Sequence, residues 1–287
     1  MFLSLRSTII PVMLLGAMSV AVTAQTVTTD TKPTAKAVDK KADKADKKAE
    51  QKTPKASKDA TKPITAEQVA ESAILVYAFP GGRTTLDQIR KTAIERGKTS
   101  VTGADGKTDQ ATYQRFTLRG ATQDKEKIRL DQEFPTAKYA LVFNDDKVYG
   151  IYNDSVFTPR EDATRAFQNQ IAFNIDSLLR YKENESKLTL VAREKYMGVD
   201  YFIVEVTDKQ NHKMRFYVSA KTFRVMMLEY EDQGIKYKRK YYNYNYAQGT
   251  LVPYRSVLFA DDKVVEETEI GTVTYGQKVD ESMFSAG

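Results

Sequence analysis

From about residue 92 to the end of the chain, apolar and polar residues alternate with a period of two. β-branched and aromatic residues fill the apolar positions, and short polar turns separate the runs. This alternation is typical of strands that are buried on one face. Turns this short join antiparallel neighbours, because parallel strands need crossovers of about a dozen residues or more. The pattern predicts a large, curved antiparallel sheet with strands near residues 92–101, 111–119, 126–132, 138–144, 147–153, 187–194, 200–208, 212–220, 223–232, 235–246, 250–260 and 264–275.

Two segments have helical spacing instead. Thr65 and Gln68 match a capping box, and the apolar residues that follow predict a helix of about thirteen residues, which Pro80 and two glycines end. The stretch from Thr158 combines a second capping box with proline at the first helical position, which predicts a helix of roughly twenty residues over 158–180. Because the apolar faces of both helices need a partner, we expect them to pack on one face of the sheet.

The N-terminus has the pattern of an export signal. Arg6 precedes an apolar stretch from Ile9 to Val22, and Thr23 and Ala24 supply the small residues that a signal peptidase needs. We expect residues 1–24 to be a signal peptide that is cleaved after Ala24, which places the protein in the periplasm. A retained anchor is the alternative, although the stretch is shorter than the about 20 apolar residues of a membrane span.

The net charge of +6 comes from the N-terminal part of the chain. Residues 25–63 contain eleven Lys against five Asp and one Glu, and Arg6 accounts for the remaining charge. Residues 64–287 carry 32 basic and 32 acidic side chains, so they lack the basic balance that nucleic-acid binding requires. We therefore expect no nucleic-acid partner. The Lys/Ala/Asp-rich composition of 25–63 predicts a disordered linker, with transient contact to anionic membrane surfaces as the alternative.

Little in the sequence points to catalysis. The chain has no cysteine, which excludes disulfides and thiolate metal sites. It has one histidine, so a His-based metal cluster or a Ser-His-Asp relay has at most one histidine to draw on. His212 lies beside a turn, where we expect it to be exposed. The tyrosine-rich run 237–246 matches a strand with Tyr242, Tyr244 and Tyr246 on the face opposite Tyr241. We predict no enzyme, no catalytic residues, no cofactor and no metal.

Several strands have one clearly apolar face. Phe202 and Val204 share a face, as do Phe216 and Val218, and Val225 is grouped with Met227. In a closed core these side chains would pack against one another and have no ligand. If the sheet curls without closing, they line a concavity that suits an apolar ligand. The residues alone leave both interpretations open.

The order of elements over 64–287 and several local motifs resemble the bacterial lipoprotein-sorting carriers of the LolA and LolB type. Residues 140–153 resemble the family's hairpin of an apolar strand, an Asn/Asp/Gly turn and an aromatic-rich strand. Residues 198–208, their partner 214–218 and the ending 280–284 are also similar to that superfamily. The resemblance implies a mainly β (α+β) fold, an incomplete β-barrel of about 11–12 strands with an N-terminal helix and an inserted helix covering its concave side.

The resemblance also implies a function. It predicts an apolar cavity that holds the acyl chains of a lipid or lipoprotein, helices that act as a lid, and a membrane-associated protein that donates or accepts the cargo. The family's arginine in a basic, proline-containing turn has no counterpart between Gly120 and Glu126, so no arginine is assigned a role. The candidate cavity residues are Leu141, Phe143, Phe167, Ile171, Phe202, Val204, Phe216, Val218, Val225 and Met227.

Two other functions fit the pattern. The same fold can serve as a periplasmic structural or protein-interaction module without lipid cargo. Membrane-spanning strands also alternate, but Lys236, Lys238 and Lys240 share a face with Tyr242, which leaves no continuous lipid-facing band. A carrier is therefore the leading hypothesis.

Overall fold

The computed structural model describes residues 63–103 and 105–285. The predicted signal peptide, with its cleavage site after Ala24, and the predicted linker up to residue 62 lie outside the described residues. Within the part that is described, no helix has the length and apolar character needed to cross a membrane.

Thirteen antiparallel strands form one sheet. Their spatial order is β6-β5-β4-β3-β2-β1-β13-β12-β11-β10-β9-β8-β7. The strands are β1 (Thr92–Thr102), β2 (Thr108–Leu118), β3 (Lys127–Glu133), β4 (Lys138–Asn144), β5 (Lys147–Tyr152), β6 (Ser155–Phe157), β7 (Lys187–Tyr196), β8 (Val199–Thr207), β9 (Lys213–Ser219), β10 (Val225–Asp232), β11 (Ile235–Ala247), β12 (Thr250–Ala260) and β13 (Lys263–Tyr275).

The sheet is not closed into a barrel. Its edges are β6 and β7, which are consecutive in sequence but are the two outermost strands in space. At the centre, β1 pairs with β13, so the two ends of the sheet-forming chain meet there. The stretch 158–186 must therefore lead from one edge of the sheet to the other. This topology explains why helices lie across the concave face.

The fold class and all twelve strands predicted from alternation are confirmed. The additional strand, β6, has three residues, and all three are exposed. A segment this short has too few positions to show alternation. It pairs with β5 through a two-residue turn in which Asn153 and Asp154 both have positive φ angles, 47° and 60°.

The N-terminal helix, α1 (Ala66–Tyr77), begins as predicted. The Thr65 amide donates to Gln68 Oε1 at 2.9 Å, and the Gln68 amide donates to Thr65 Oγ1 at 3.2 Å. Val69, Ala73 and Ile74 are among the side chains that α1 buries against the sheet. A second helix, α2 (Gly82–Ile89), follows and contributes Leu86 to the same apolar cluster.

The predicted continuous helix over 158–180 is wrong in two respects. The chain forms α3 (Glu161–Ala172) and α4 (Asp176–Leu179), separated by a break. The cause is Asn174, whose side-chain amide donates to the Ile171 carbonyl at 2.8 Å while its Oδ1 accepts from the Asp176 amide at 2.8 Å. The side chain thus replaces backbone bonds on both sides. The predicted capping box at Thr158 is also absent, because α3 begins at Glu161.

Two apolar clusters occupy the concave face. The first, called the main cluster, lies between α1, α4 and strands β8 to β12. The second, called the α3 cluster, lies between α3 and strands β2 to β4. The main cluster includes Ile74, Leu179, Val204, Met214, Phe216 and Leu228, and the α3 cluster consists of Tyr113, Ile128, Leu130, Leu141, Phe143, Phe167 and Ile171.

The convex face of β4 is covered as well. A 3-10 turn, Glu281–Phe284, folds over it and buries Phe284 against Val142. The Phe284 carbonyl accepts from Tyr149 Oη at 2.6 Å and from Asn144 Nδ2 at 2.9 Å. β4 is therefore buried on both faces.

The main cluster should carry a large share of the stability. Met214 is 1% exposed, whereas Met197, in the turn between β7 and β8, is 82% exposed. We expect Met214→Ala to lower the free energy of unfolding by about 2–5 kcal/mol, because it leaves a cavity in a packed core. The control Met197→Ala should change it by less than about 0.5 kcal/mol. Urea unfolding of both variants measures this, and equal effects would contradict the assignment of the core.

Candidate functional site

The strands at the centre of the sheet present polar side chains to the concave face. They enclose a cavity of about 250 Å³ between the two apolar clusters, roofed by the segment that joins α3 to α4. Three cations and three carboxylates line it, together with several tyrosines, amides and hydroxyls. The charged lining residues are Arg90, Glu95, Arg115, Asp176, Arg239 and Glu266. We call this the polar cavity.

Asp176, the first residue of α4, connects the roof of the polar cavity to the rest of the fold. Its Oδ1 accepts from Arg90 Nη1 at 2.8 Å, and its Oδ2 accepts from Arg119 Nη2 at 2.7 Å. Arg90 also donates to Thr250 Oγ1 at 2.9 Å, which links α4 to β12. Burial opposes ionisation of Asp176, but the charges of Arg119 and Arg90 outweigh it and lower its pKa to about 2.

A second buried ion pair holds the end of α4. Arg180 and Glu126 form it, and their side chains are 3% and 8% exposed. The Arg180 Nη2 also donates to the Gly120 carbonyl at 2.7 Å and to the Ala121 carbonyl at 3.2 Å. The loop between β2 and β3 is thereby bound to α4. Breaking such a pair leaves a buried charge, which costs several kcal/mol.

The floor of the polar cavity is partly paired. Arg239 on β11 donates to Glu266 on β13 at 3.2 Å, and Gln170 on α3 donates to the same carboxylate at 3.0 Å. On the other side, Tyr113 Oη donates to Glu95 Oε1 at 2.6 Å. Burial and the Glu95 charge raise the pKa of Tyr113, so it remains a donor.

Some polar atoms in this floor have no partner. Five buried side-chain nitrogens and oxygens of the described residues lack a hydrogen bond, and three of these belong to the polar cavity. Buried polar groups normally have partners, so a concentration of exceptions marks a site. The three atoms are Arg115 Nε, Arg239 Nε and Tyr241 Oη.

The chain conformation at Asn243 explains why Tyr244 faces the concave side of the sheet. The predicted alternation, with Tyr244 opposite Tyr241, is wrong because Asn243 adopts a left-handed conformation with φ of 53°. Tyr244 therefore turns to the concave side, where its Oη lies 3.0 Å from Tyr77 Oη. Tyr241 packs in the same main cluster.

A second, larger cavity of about 720 Å³ lies on the other flank of α3. Five apolar side chains line it, and the other eighteen lining residues are polar, eight of them charged; the apolar ones are Phe143, Ile171, Ala172, Phe173 and Met214. We call this the apolar cavity. Segment 168–177 contributes residues to both cavities and so separates them.

His212 lies on the rim of the apolar cavity. It is exposed beside a turn, as predicted, and its Nδ1 lies 2.8 Å from Asp208 Oδ2. Its ring meets Phe173 edge to face at 5.7 Å. Among residues 63–103 and 105–285, no three His, Asp or Glu side chains are placed to bind a metal.

The ten candidate cavity residues are distributed unevenly. Only Phe143 and Ile171 line a cavity, and none of the ten lines the polar cavity. Met227 does not share a face with Val225, because a bulge between them reverses the alternation and places Leu228 in the main cluster instead. The remaining residues pack in the α3 cluster (Leu141 and Phe167) or in the main cluster (Phe202, Val204, Phe216, Val218 and Val225).

The polar cavity was not predicted, because charged strand residues that face a cavity have the same sequence pattern as charged strand residues that face solvent. One signal could have found it. Glu95, Gly97 and Thr99 occupy alternate positions in the middle of β1, so the middle of that face of the central strand has no large apolar side chain. A central strand without an apolar face indicates a polar lining.

Asp176 provides a test of the ion pairs at α4. The folded-state pKa of about 2 lies below the unfolded value of about 3.9. The stabilisation is therefore complete above about pH 4 and is lost as the pH falls towards 2. Asp176→Asn should lower the free energy of unfolding by about 2–3 kcal/mol at pH 7. Urea unfolding between about pH 3 and 7 should show this difference shrinking at low pH. The control is Asp162→Asn, which changes an exposed residue in the first turn of α3. An equal loss of unfolding free energy in that variant would contradict the assignment.

No protein-family model matches this sequence, and no curated protein sequence matches it. Solved structures do match. A DUF1329 family protein from Desulfovibrio piger is 14% identical, with a TM-score of 0.56 over 77% of this chain and 97% of that chain. A LolA superfamily protein from Nitrosomonas europaea is 15% identical, with a TM-score of 0.55 over 78% of this chain and 98% of that chain. The resemblance noted in the sequence is thus confirmed at the level of the fold, which this chain shares with a LolA superfamily protein.

Proposed function

We propose that this protein is a periplasmic carrier that binds the acyl chains of a lipid or lipoprotein. The observation that carries the proposal is the apolar cavity beside α3, with Phe143, Ile171, Phe173 and Met214 in its lining. Ligand sites are typically concave and mostly apolar, with a few polar groups. The fold shared with a LolA superfamily protein supports the same class of cargo.

The way in which α3 is attached to the sheet would allow an acyl chain to enter the apolar cavity. α3 buries only Phe167 and Ile171, and hydrogen bonds from its polar residues connect it to the sheet. Asn169 Nδ2 donates to Asp232 Oδ2 at 2.9 Å. α4, by contrast, is bound by buried ion pairs. We infer that α3 moves away from the sheet while α4 stays in place, which lets an acyl chain pass between Ile171 and β4.

The N-terminal segments belong to the same proposal. Residues 1–24 would direct export and be removed, and the Lys-rich residues 25–63 would link the domain to a membrane surface or to a membrane-associated protein that donates or accepts the cargo. No covalent chemistry is part of this function. The carrier needs only an apolar site and a movable cover.

Bound lipid is the direct test. Protein purified from a periplasmic extract should release acyl-chain lipid on solvent extraction, detected by mass spectrometry at close to one cargo molecule per chain. Protein that is consistently lipid-free, and that takes up no fluorescent fatty acid, would contradict the carrier function. That result would favour the alternative, a periplasmic structural or protein-interaction module with the same fold.

The movement of α3 has its own test, which the absence of cysteine makes simple. Asn169→Cys combined with Asp232→Cys can be joined by a short bismaleimide, which binds α3 to β10. We expect the cross-linked protein to take up fluorescent fatty acid at least about tenfold more slowly, because entry requires displacement of a packed element. The same double variant capped with N-ethylmaleimide is the control. Equal uptake rates would contradict movement of α3.

A further inference from the structure

Arg115 is a cation without a partner in the floor of the polar cavity. It forms no ion pair with any residue in 63–103 or 105–285, and its buried Nε has no hydrogen-bond acceptor. Glu95 lies directly across the β1–β2 ladder from it. That carboxylate accepts a hydrogen bond from the Tyr113 hydroxyl at 2.6 Å and forms no ion pair with Arg115.

Two further donors face the same space. Arg239 Nε has no acceptor, although the Arg239 Nη1 is paired with Glu266 at 3.2 Å. The Tyr241 hydroxyl has none either, and Tyr241 is 5% exposed. Leaving a buried donor unsatisfied destabilises the free protein, whereas a ligand oxygen at the same place would satisfy it. All three unpartnered groups can donate a hydrogen bond, and two of them carry positive charge.

We propose that the polar cavity binds an anionic oxygen group, a carboxylate or a phosphate, that forms the head of an amphiphilic ligand. Arg115 is its main partner, with Arg239 Nε and Tyr241 Oη as additional donors. A guanidinium suits such a group because it can donate two parallel hydrogen bonds to it. The inference rests on the proposed carrier function and specifies one end of its ligand.

The position of the two cavities supports this arrangement. They lie on opposite flanks of segment 168–177, so a ligand that displaces α3 reaches both. An acyl chain suits the apolar cavity, whereas it would leave the donors of the polar cavity unsatisfied. A volume of about 250 Å³ accommodates a head group and a few waters, since a water occupies about 30 Å³ in the liquid.

Titration calorimetry with the full chain tests the inference. The ligands are dodecanoate and dodecyl phosphate, each below its critical micelle concentration, methyl dodecanoate below its solubility limit, and inorganic phosphate. Dodecanoate and dodecyl phosphate should bind at least about tenfold more tightly than the uncharged methyl ester, as a hydrogen bond to a charged group predicts. Arg115→Gln should remove this preference and leave the affinity for the methyl ester unchanged. Arg160→Gln, at an exposed arginine, is the matched control.

A second variant keeps the test independent of folding. Tyr241→Phe removes a hydroxyl that has no partner in the free protein, so it should not lower the free energy of unfolding. It should nevertheless weaken binding of dodecanoate several-fold and leave the methyl ester unaffected. A loss of stability without a change in affinity would show a purely structural Tyr241 and contradict its role.

The outcomes separate the two proposals. If no amphiphile binds, the carrier function is overturned. If dodecanoate and its methyl ester bind equally and Arg115→Gln changes neither, only the anionic head-group site is overturned. If inorganic phosphate binds as tightly as dodecyl phosphate and requires Arg115, the anion site is supported but its ligand is a free anion, which contradicts an amphiphile.

Discussion

The segment between β6 and β7 joins the two outermost strands of an open sheet, and it does so by crossing the concave face. The helices α3 and α4 lie in this crossing segment. The crossing segment needs anchors at the point where it lies over the polar centre of the sheet. Asp176 supplies them by accepting from Arg90 and Arg119, and Arg180 adds a buried pair with Glu126. The polar cavity exists because this anchored segment spans a floor that itself carries charges.

The polar centre divides the concave face into regions with different chemistry. The main cluster and the α3 cluster are apolar, and the strands between them present charged and hydroxyl groups. A wholly apolar ligand would match only part of this surface. An amphiphile matches more of it, because its two ends differ in the same way as the two cavities on either side of α3.

Period-two alternation was sufficient to predict twelve strands and the antiparallel sheet, because short turns restrict how consecutive strands can pair. It failed where one residue changes the phase. The bulge before Met227 and the left-handed Asn243 each reverse the faces of the residues that follow. Asn174 ends the helix at a point where the spacing of apolar residues predicted that it would continue. Among the residues that line the two cavities, Phe143 and Ile171 were candidates from the sequence, whereas the arginines and carboxylates of the polar cavity come together only through strands distant in sequence.

β4 is packed on both sides, by the α3 cluster on the concave face and by Phe284 on the convex face. A strand that is packed on both faces cannot move towards either side without disturbing packed side chains. In the proposed carrier, the capacity of the apolar cavity changes through α3, which buries only Phe167 and Ile171 and is otherwise attached through hydrogen bonds. Under that proposal the cavity has one rigid wall and one movable wall, so that a single helix adjusts the volume while the sheet keeps its shape.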